Sequence, residues 1–230
     1  MTLPDLAIPG VRRGIEEMLV RRAQVLAQGA KPIGWKLGFG APAWLDKFGL
    51  TGPLVGFLTD ATRYPSGAAV SCEGWSNPVA EPEIAVHIGP EAVDPDHAGA
   101  AIDVIGPAIE LADVHSPPED IAEVLAGNIF HRALVLGETA SPRAGGVLAG
   151  LRARIVCDGV EVADTTDLEV LTGGLVAILG HAATLLASAG EAIRPGEVVI
   201  MGSVIPPQPV RPGQVVSFEL SPISTVSVSV

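Results

Sequence analysis

Aromatic residues make up only 4% of this 230-residue chain, with a single tyrosine among them. Any sizeable core must therefore be filled with Val, Ile, Leu and Ala. Cysteine is nearly absent too: Cys72 and Cys157 stand far apart and fit no zinc spacing, which excludes a disulfide-stapled scaffold and suits a reducing compartment. Basic charge is also short. Fourteen Lys and Arg face 26 Asp and Glu, for a net charge of -12 and a pI near 4.7, so no nucleic-acid partner is expected. The N-terminal cluster of Arg12, Arg13, Arg21 and Arg22 is interleaved with Glu16 and Glu17, the pattern of a solvated helix face. The opening MTLPDLAIPGVRRG lacks the basic start and apolar stretch of a secretory leader. The most apolar run, LEVLTGGLVAILGHAATLLASAG, is interrupted by Gly173, Gly174, Gly180 and His181, which reads as a buried helix and not as a membrane span. A soluble, cytoplasmic protein with no membrane partner is expected.

What the chain does contain is apolar bulk. Hydrophobic residues reach 48% and charged ones only 17%, with mean hydropathy +0.42, enough for a packed globule with burial to spare for a subunit interface. Residues 10–28 carry helical periodicity with Gly29 as a stop, PIGWKLGFG reads as strand and turn, and APAWLDKFG as a short helix. Residues 1–60 are therefore expected to form a small helical lobe, and residues 61–230 a β-rich domain completing one functional unit. In the latter, strands are expected at 67–72 and 79–88, a helix capped by Asp94 in DPDHAGAAIDVIG, and strands in IGPAIELADVH and ALVLG. A hairpin turning at Asp158-Gly159, a helix over about 167–189, and strands in EVVIMG, QVVSFEL and STVSVSV follow. The fold class is α+β, mostly β.

One stretch sets a chemical problem. In VAEPEIAVHIG, strand alternation puts Glu81, Glu83, Ala85 and His87 on one face and Ile84, Val86 and Ile88 on the other. Two adjacent carboxylates raise each other's pKa unless water screens them or a cation holds them ionised. Pro82 points to a sheet edge or a bulge, so a solvated edge strand is one reading and a metal site the other. Glu110 favours the second: it is the only charge in residues 104–112, a run that reads as buried. Three glutamates make a hard oxygen site suited to Mg²⁺ or Mn²⁺. Lys36, hemmed by Trp35, Leu37 and close glycines, would have a carboxylate to bind or a depressed pKa to use, or else would snorkel from a strand end. His131 and His181 are weaker acid-base candidates, and His87 a candidate partner to the glutamate pair.

In order along the chain, GWKLGFG, GFLTDAT, EPEIAVHIG, PAIELAD, ALVLG and LGHAATLLASAGEAIRPGEVVIMGS resemble the 2-keto-4-pentenoate hydratase and 4-oxalocrotonate decarboxylase branch of the fumarylacetoacetate hydrolase superfamily. The resemblance implies a β-roll of mixed sheets, a homo-oligomer, and Mg²⁺ or Mn²⁺ held by Glu81, Glu83 and Glu110. It implies Lys36 and Asp60 as catalytic residues, and Phe130, His131 and Ser203 at the substrate. Where relatives read A-D-N-x-S this chain has AGNIFHRALVLG, so Phe130 replaces the serine. The implied activity is hydration of a 2-hydroxy-2,4-dienoate in catabolism of aromatic or related compounds. Decarboxylation of a 2-oxo acid of the 4-oxalocrotonate type, C–C hydrolysis, or a non-catalytic subunit binding metal and 2-oxo acid are the alternatives.

Overall fold

The structure is a computed structural model that describes residues 3–114, 119–139 and 144–230. The expected helix near the N-terminus forms α1 (Val11–Ala27), which buries Val11, Ile15 and Met18. β1 (Pro32–Gly38), α2 (Pro42–Phe48) and β2 (Leu54–Thr59) follow. A three-residue turn of 3₁₀ helix, Asp60–Thr62, leads into the short β3 (Arg63–Tyr64) and β4 (Ala68–Ala69). The strand expected over 67–72 is thus only two residues long. β5 (Pro78–Ile88) carries the glutamate pair. Asp94 does cap a helical turn, but it is a 3₁₀ turn that ends at Ala101, and the β-branched Ile102, Val104 and Ile105 belong to β6 (Ile102–Asp113).

α3 (Ile121–Ala126) and β7 (His131–Leu136) come next, then the hairpin of β8 (Arg152–Cys157) and β9 (Val160–Thr165), which turns at Asp158-Gly159 as expected. α4 spans Leu175–Ser188. It starts later than the apolar run because Gly173 has φ +86° and the Glu169 carboxylate accepts the Leu175 N–H at 2.6 Å, which makes residues 169–174 a turn. β10 (Val198–Ser203), β11 (Gln208–Pro209), β12 (Val215–Ser221) and β13 (Ser224–Ser229) complete the chain.

The larger sheet has the order β2-β1-β10-β5-β6-β7-β3, with β11 beside β5; the smaller is β4-β13-β12-β8-β9. β2 and β3 are consecutive in the chain but lie at opposite ends of that order. The sheet must therefore roll until its edges meet at residues 60–62. Since β1 and β2 are strands of this sheet, the chain has no division at residue 60, and its first 60 residues are not a separate helical lobe. The mostly β α+β roll itself is as the sequence leads one to expect.

The roll has two faces with separate packing. Its outer face carries Trp35, Leu37, Ile84, Val86, Ile105, Ile109 and Leu111 and packs with α1, α3, α4 and the smaller sheet in the main core. Its inner face holds a small cluster of Leu58, Ala85, Ala108, Leu134, Val198 and Ile200. Glu83 and Glu110 lie on the same inner side, beyond this cluster.

Closure depends on a short strained turn. Asn128, Ile129 and Phe130 follow α3 with φ of 58°, 49° and 62°, a conformation that costs on the order of 1–3 kcal/mol for each non-glycine residue. Asn128 offsets that cost by acting as a substitute strand: its Oδ1 accepts the Phe57 N–H at 2.8 Å and its Nδ2 donates to the Phe57 carbonyl at 3.0 Å. Gly56 makes the approach possible, since a Cβ there would lie 2.6 Å from Asn128 Oδ1. Asn128→Ala strands a buried N–H and a buried carbonyl on β2, and urea denaturation is expected to show a loss of roughly 2–4 kcal/mol; a loss below about 1 kcal/mol would show that this side chain does not hold the roll closed.

Candidate active site

β5 and β6 pair antiparallel with Glu81 opposite Glu110. The register therefore brings together residues that are far apart in sequence. One carboxylate oxygen from each of Glu81, Glu83 and Glu110 lies within 4.8 Å of the others. Glu83 and Glu110 are fully buried, whereas Glu81 is half-buried at the edge of a cavity. β5 is a central strand, not an edge, so the solvated-edge reading fails. Pro82 instead faces an irregularity in β10, where the register shifts between Ile200 and Ser203. Gly202, at φ +87° in that irregularity, donates its N–H to Glu83 Oε2 at 2.7 Å, and Ser203 Oγ donates to Glu81 Oε2 at 3.4 Å.

Lys36 comes from β1, three strands from β6 in the sheet order. On a flat sheet that is a span of about 14 Å, beyond a lysine's reach. Rolling the sheet closes the gap: the buried Lys36 ammonium bonds Glu110 Oε1 and also donates to the Ile129 carbonyl at 3.0 Å. The left-handed turn at 128–130 is what aims that carbonyl inward. His131 Nδ1 lies 2.8 Å from the same Glu110 oxygen, and its Nε2 lies 2.9 Å from Thr62 Oγ1. A carboxylate can only accept, so Nδ1 carries the hydrogen.

The electrostatics are those of a site short of positive charge. Burial pushes the Glu81 carboxyl up to about 7, and the charge of Glu110 adds to the effect. Burial, then Glu110 and Glu81, push Glu83 well above the ordinary carboxylate range. Burial would raise Glu110 as well, but the Lys36 charge and the His131 bond outweigh it and hold Glu110 below its ordinary value. Burial opposes the Lys36 ammonium, yet the three carboxylates reverse that and raise it. One lysine thus serves three acids. Glu83 Oε1 and Glu110 Oε2 are buried with no hydrogen-bond partner. Two unsatisfied carboxylate oxygens beside a third are the donor set that a hard divalent cation needs, so the residues fit Mg²⁺ or Mn²⁺.

The site opens on a cavity of about 340 Å³ lined by Lys36, Glu81, Phe130 and Ser203 among others. His131 does not line it; buried behind Glu110, it orients that carboxylate. Asp60 is not in the site either. It is exposed at the closure of the roll, accepting the Lys31 N–H at 2.7 Å, and the catalytic role that the resemblance implies for it has no geometric support. His87 lies two inward positions beyond Glu83, at the far side of Ala85, where burial lowers its pKa; it does not reach the glutamates. His181 Nε2 lies 3.4 Å from the buried Asp5 carboxylate without a hydrogen bond to it; Asp5 accepts from Thr51 instead, and burial lowers the His181 pKa. The residues that sequence reasoning missed are Asn128, the Ile129 carbonyl, Thr62 and the Gly202 N–H. Of these only Asn128 carried a signal, an asparagine just after a helix-ending glycine.

Residues 46–230 match the fumarylacetoacetate (FAA) hydrolase C-terminal family. The chain belongs to that family. It is 27% identical to a 4-oxalocrotonate decarboxylase from Pseudomonas sp., across 95% of this chain and 86% of that one. It is also 27% identical to a 2-hydroxyhexa-2,4-dienoate hydratase from Comamonas testosteroni, across 88% and 79%. A solved 4-oxalocrotonate decarboxylase from Pseudomonas putida G7, complexed with magnesium and adipate, superposes with TM-score 0.82 at 25% identity, covering 94% of this chain and 84% of that one. The fold is therefore that of the FAA hydrolase family, with an acidic triad that could hold a divalent metal at its cavity.

The raised carboxyls give this FAA hydrolase family site a pH signature. Groups whose folded pKa lies above the unfolded value bind protons more tightly when folded, so stability falls as pH rises between the two values. For the metal-free protein that window runs from the ordinary 4.5 to about 7 for Glu81, and higher for Glu83. Thermal melting without metal should decline from about pH 5 to about pH 8, and the rise in Tm on adding Mg²⁺ should be larger at the upper end. A metal-induced shift independent of pH would refute this account of the triad.

Proposed function

We propose that this chain is a divalent-metal-dependent lyase that adds water to a 2-hydroxy-2,4-dienoate, and that Glu81, Glu83 and Glu110 are its metal ligands. The observation that supports it most directly is the pair of buried, unpartnered oxygens of Glu83 and Glu110 beside Glu81 at the wall of a cavity. A bound Mg²⁺ or Mn²⁺ would supply Lewis acidity to a 2-oxo acid's carbonyl and carboxylate. The chain's own residues do the rest. Lys36 spends two of its three N–H groups on Glu110 and the Ile129 carbonyl, which keeps it charged and leaves one for an acidic substrate at the cavity wall. His131 and Thr62 lock the orientation of Glu110. Ser203, bonded to Glu81, stands at the cavity wall as a substrate contact. The apolar remainder of the cavity packs against the hydrocarbon part of the substrate.

A 4-oxalocrotonate-type decarboxylase is the second reading, favoured by the relatives that carry that name. Both reactions need an electron sink at the 2-oxo group and differ only in what the far end of the substrate carries. Cys72 and Cys157, both free thiols, suit action in the cytoplasm. The apolar composition supports a homo-oligomer. Among the described residues no helix is long and apolar enough to cross a membrane.

With Mg²⁺ or Mn²⁺, the protein should consume the ultraviolet absorbance of 2-hydroxypenta-2,4-dienoate without releasing CO₂. Glu83→Gln should cut that rate by more than about a hundredfold, beyond the 10–100-fold usual for a group that only supports a ligand. Activity that survives both this change and a chelator would end the metal-dependent reading, and CO₂ from 2-oxohexenedioate as the faster reaction would replace hydratase by decarboxylase.

A further inference from the structure

The cavity has two chemically different ends. Lys36, Glu81 and Ser203 mark one, where an acid head group belongs. Elsewhere the wall is apolar, with Phe39, Trp44, Val79, Phe130, Leu171 and Met201 prominent in it. The Phe39 ring lies 5.0 Å from Trp44 and 6.2 Å from Phe130, so aromatic surface runs continuously from the turn at 128–130 across to α2. Among the described lining residues Lys36 is the only cation, and it already serves Glu110 and Ile129. Thr172 also lines the cavity, but its hydroxyl is spent on the carbonyls of Leu168 and Gly173.

We infer that this cavity selects acids whose end remote from the carboxylate is an uncharged apolar substituent, and that Phe130 and Trp44 set that selectivity. The inference rests on the proposed reading that a 2-oxo or 2-hydroxydienoic acid binds at the glutamate end. Lys47 Nζ lies over the Trp44 ring, 5.1 Å from its centroid, and over Phe48 at 5.3 Å, but it does not line the cavity. A second carboxylate at the far end would therefore lose its water and find no lining cation in exchange. An alkyl or phenyl substituent there would lose water to its own advantage and stack on rings already in place. Phe130 is positioned for this by the same left-handed turn that turns the Ile129 carbonyl toward Lys36, so head-group binding and tail selection are built by neighbouring residues.

The test uses binding, which does not depend on turnover. Calorimetry on the Mg²⁺-loaded full-length protein with saturated, non-reacting 2-oxo acids compares pyruvate, 2-oxohexanoate, 5-phenyl-2-oxopentanoate and 2-oxoadipate. Affinity should rise at least about tenfold from pyruvate to 2-oxohexanoate and again to the phenyl acid, and 2-oxoadipate should bind at least about tenfold more weakly than 2-oxohexanoate. Phe130→Ser and Trp44→Ala, the latter on a short surface helix, should each reduce the phenyl-to-pyruvate affinity ratio by about fivefold or more. A flat series, 2-oxoadipate binding as tightly as 2-oxohexanoate, no binding of any acid, or an unchanged ratio in both folded variants would overturn the inference. Dienoate turnover without this ranking would defeat the inference and leave the lyase reading standing; the ranking without turnover would do the reverse.

Discussion

Three carboxylates share one lysine inside a closed sheet, and most of what is distinctive about this protein follows from that imbalance. Isolated in water, none of these groups would be unusual. Buried together, Glu81 and Glu83 are driven toward their protonated forms while Glu110 is held ionised by Lys36 and His131. The imbalance is tolerable in a protein that recruits a divalent cation and costly in one that does not. Charge-poor surroundings sharpen the effect, because the small inner cluster beside the glutamates offers no polar group to share the load.

The fold supplies the imbalance through closure. A flat sheet would leave Lys36 three strands away from Glu110. The turn at residues 60–62 joins the two edges, and Asn128 stands in for a strand where the backbone ladder ends. Strain at 128–130 and the shape of the site are therefore one feature: the turn that seals the roll also aims the Ile129 carbonyl at Lys36 and sets Phe130 in the cavity wall. Local backbone strain of this kind persists only where the surroundings over-determine it, and here Asn128, Ile129 and His131 are each held by a separate partner.

The elements legible in the sequence were those written in local pattern. The period-2 alternation of residues 79–88 and the Asp158-Gly159 turn appear as strand and hairpin, and the isolated charge of Glu110 in an apolar run did mark a buried acid. Misreadings came where local pattern competes with context. The apolar run before Leu175 looked helical, yet Gly173 and the Glu169 carboxylate make it a turn. Residues 1–60 looked like a helical lobe because α1 and α2 dominate their texture, while Gly-rich β1 and β2 were already strands of the main sheet. Asp60 and His131 show the limit for sites. Both stand in motif-bearing segments, but one is exposed at the closure and the other lies behind Glu110.

Composition and periodicity alone determined that this chain is a packed, aromatic-poor, mostly β protein with an acidic balance of charge. The lone charge of Glu110 together with the family resemblance, not the Glu81 and Glu83 pair by itself, favoured a cation site over a solvated edge. Apart from the resemblance, those conclusions rest on short-range physics: side-chain alternation, propensity, and the cost of burying charge. Tertiary structure alone decided that Lys36 bonds Glu110 and reaches the pair only through its charge, that the Gly202 N–H is bonded to Glu83, and that Phe130 looks onto the cavity while His131 turns away from it. Each of these depends on how far the sheet rolls and where its edges meet, which is set by contacts between residues tens of positions apart and leaves no periodic trace in the chain.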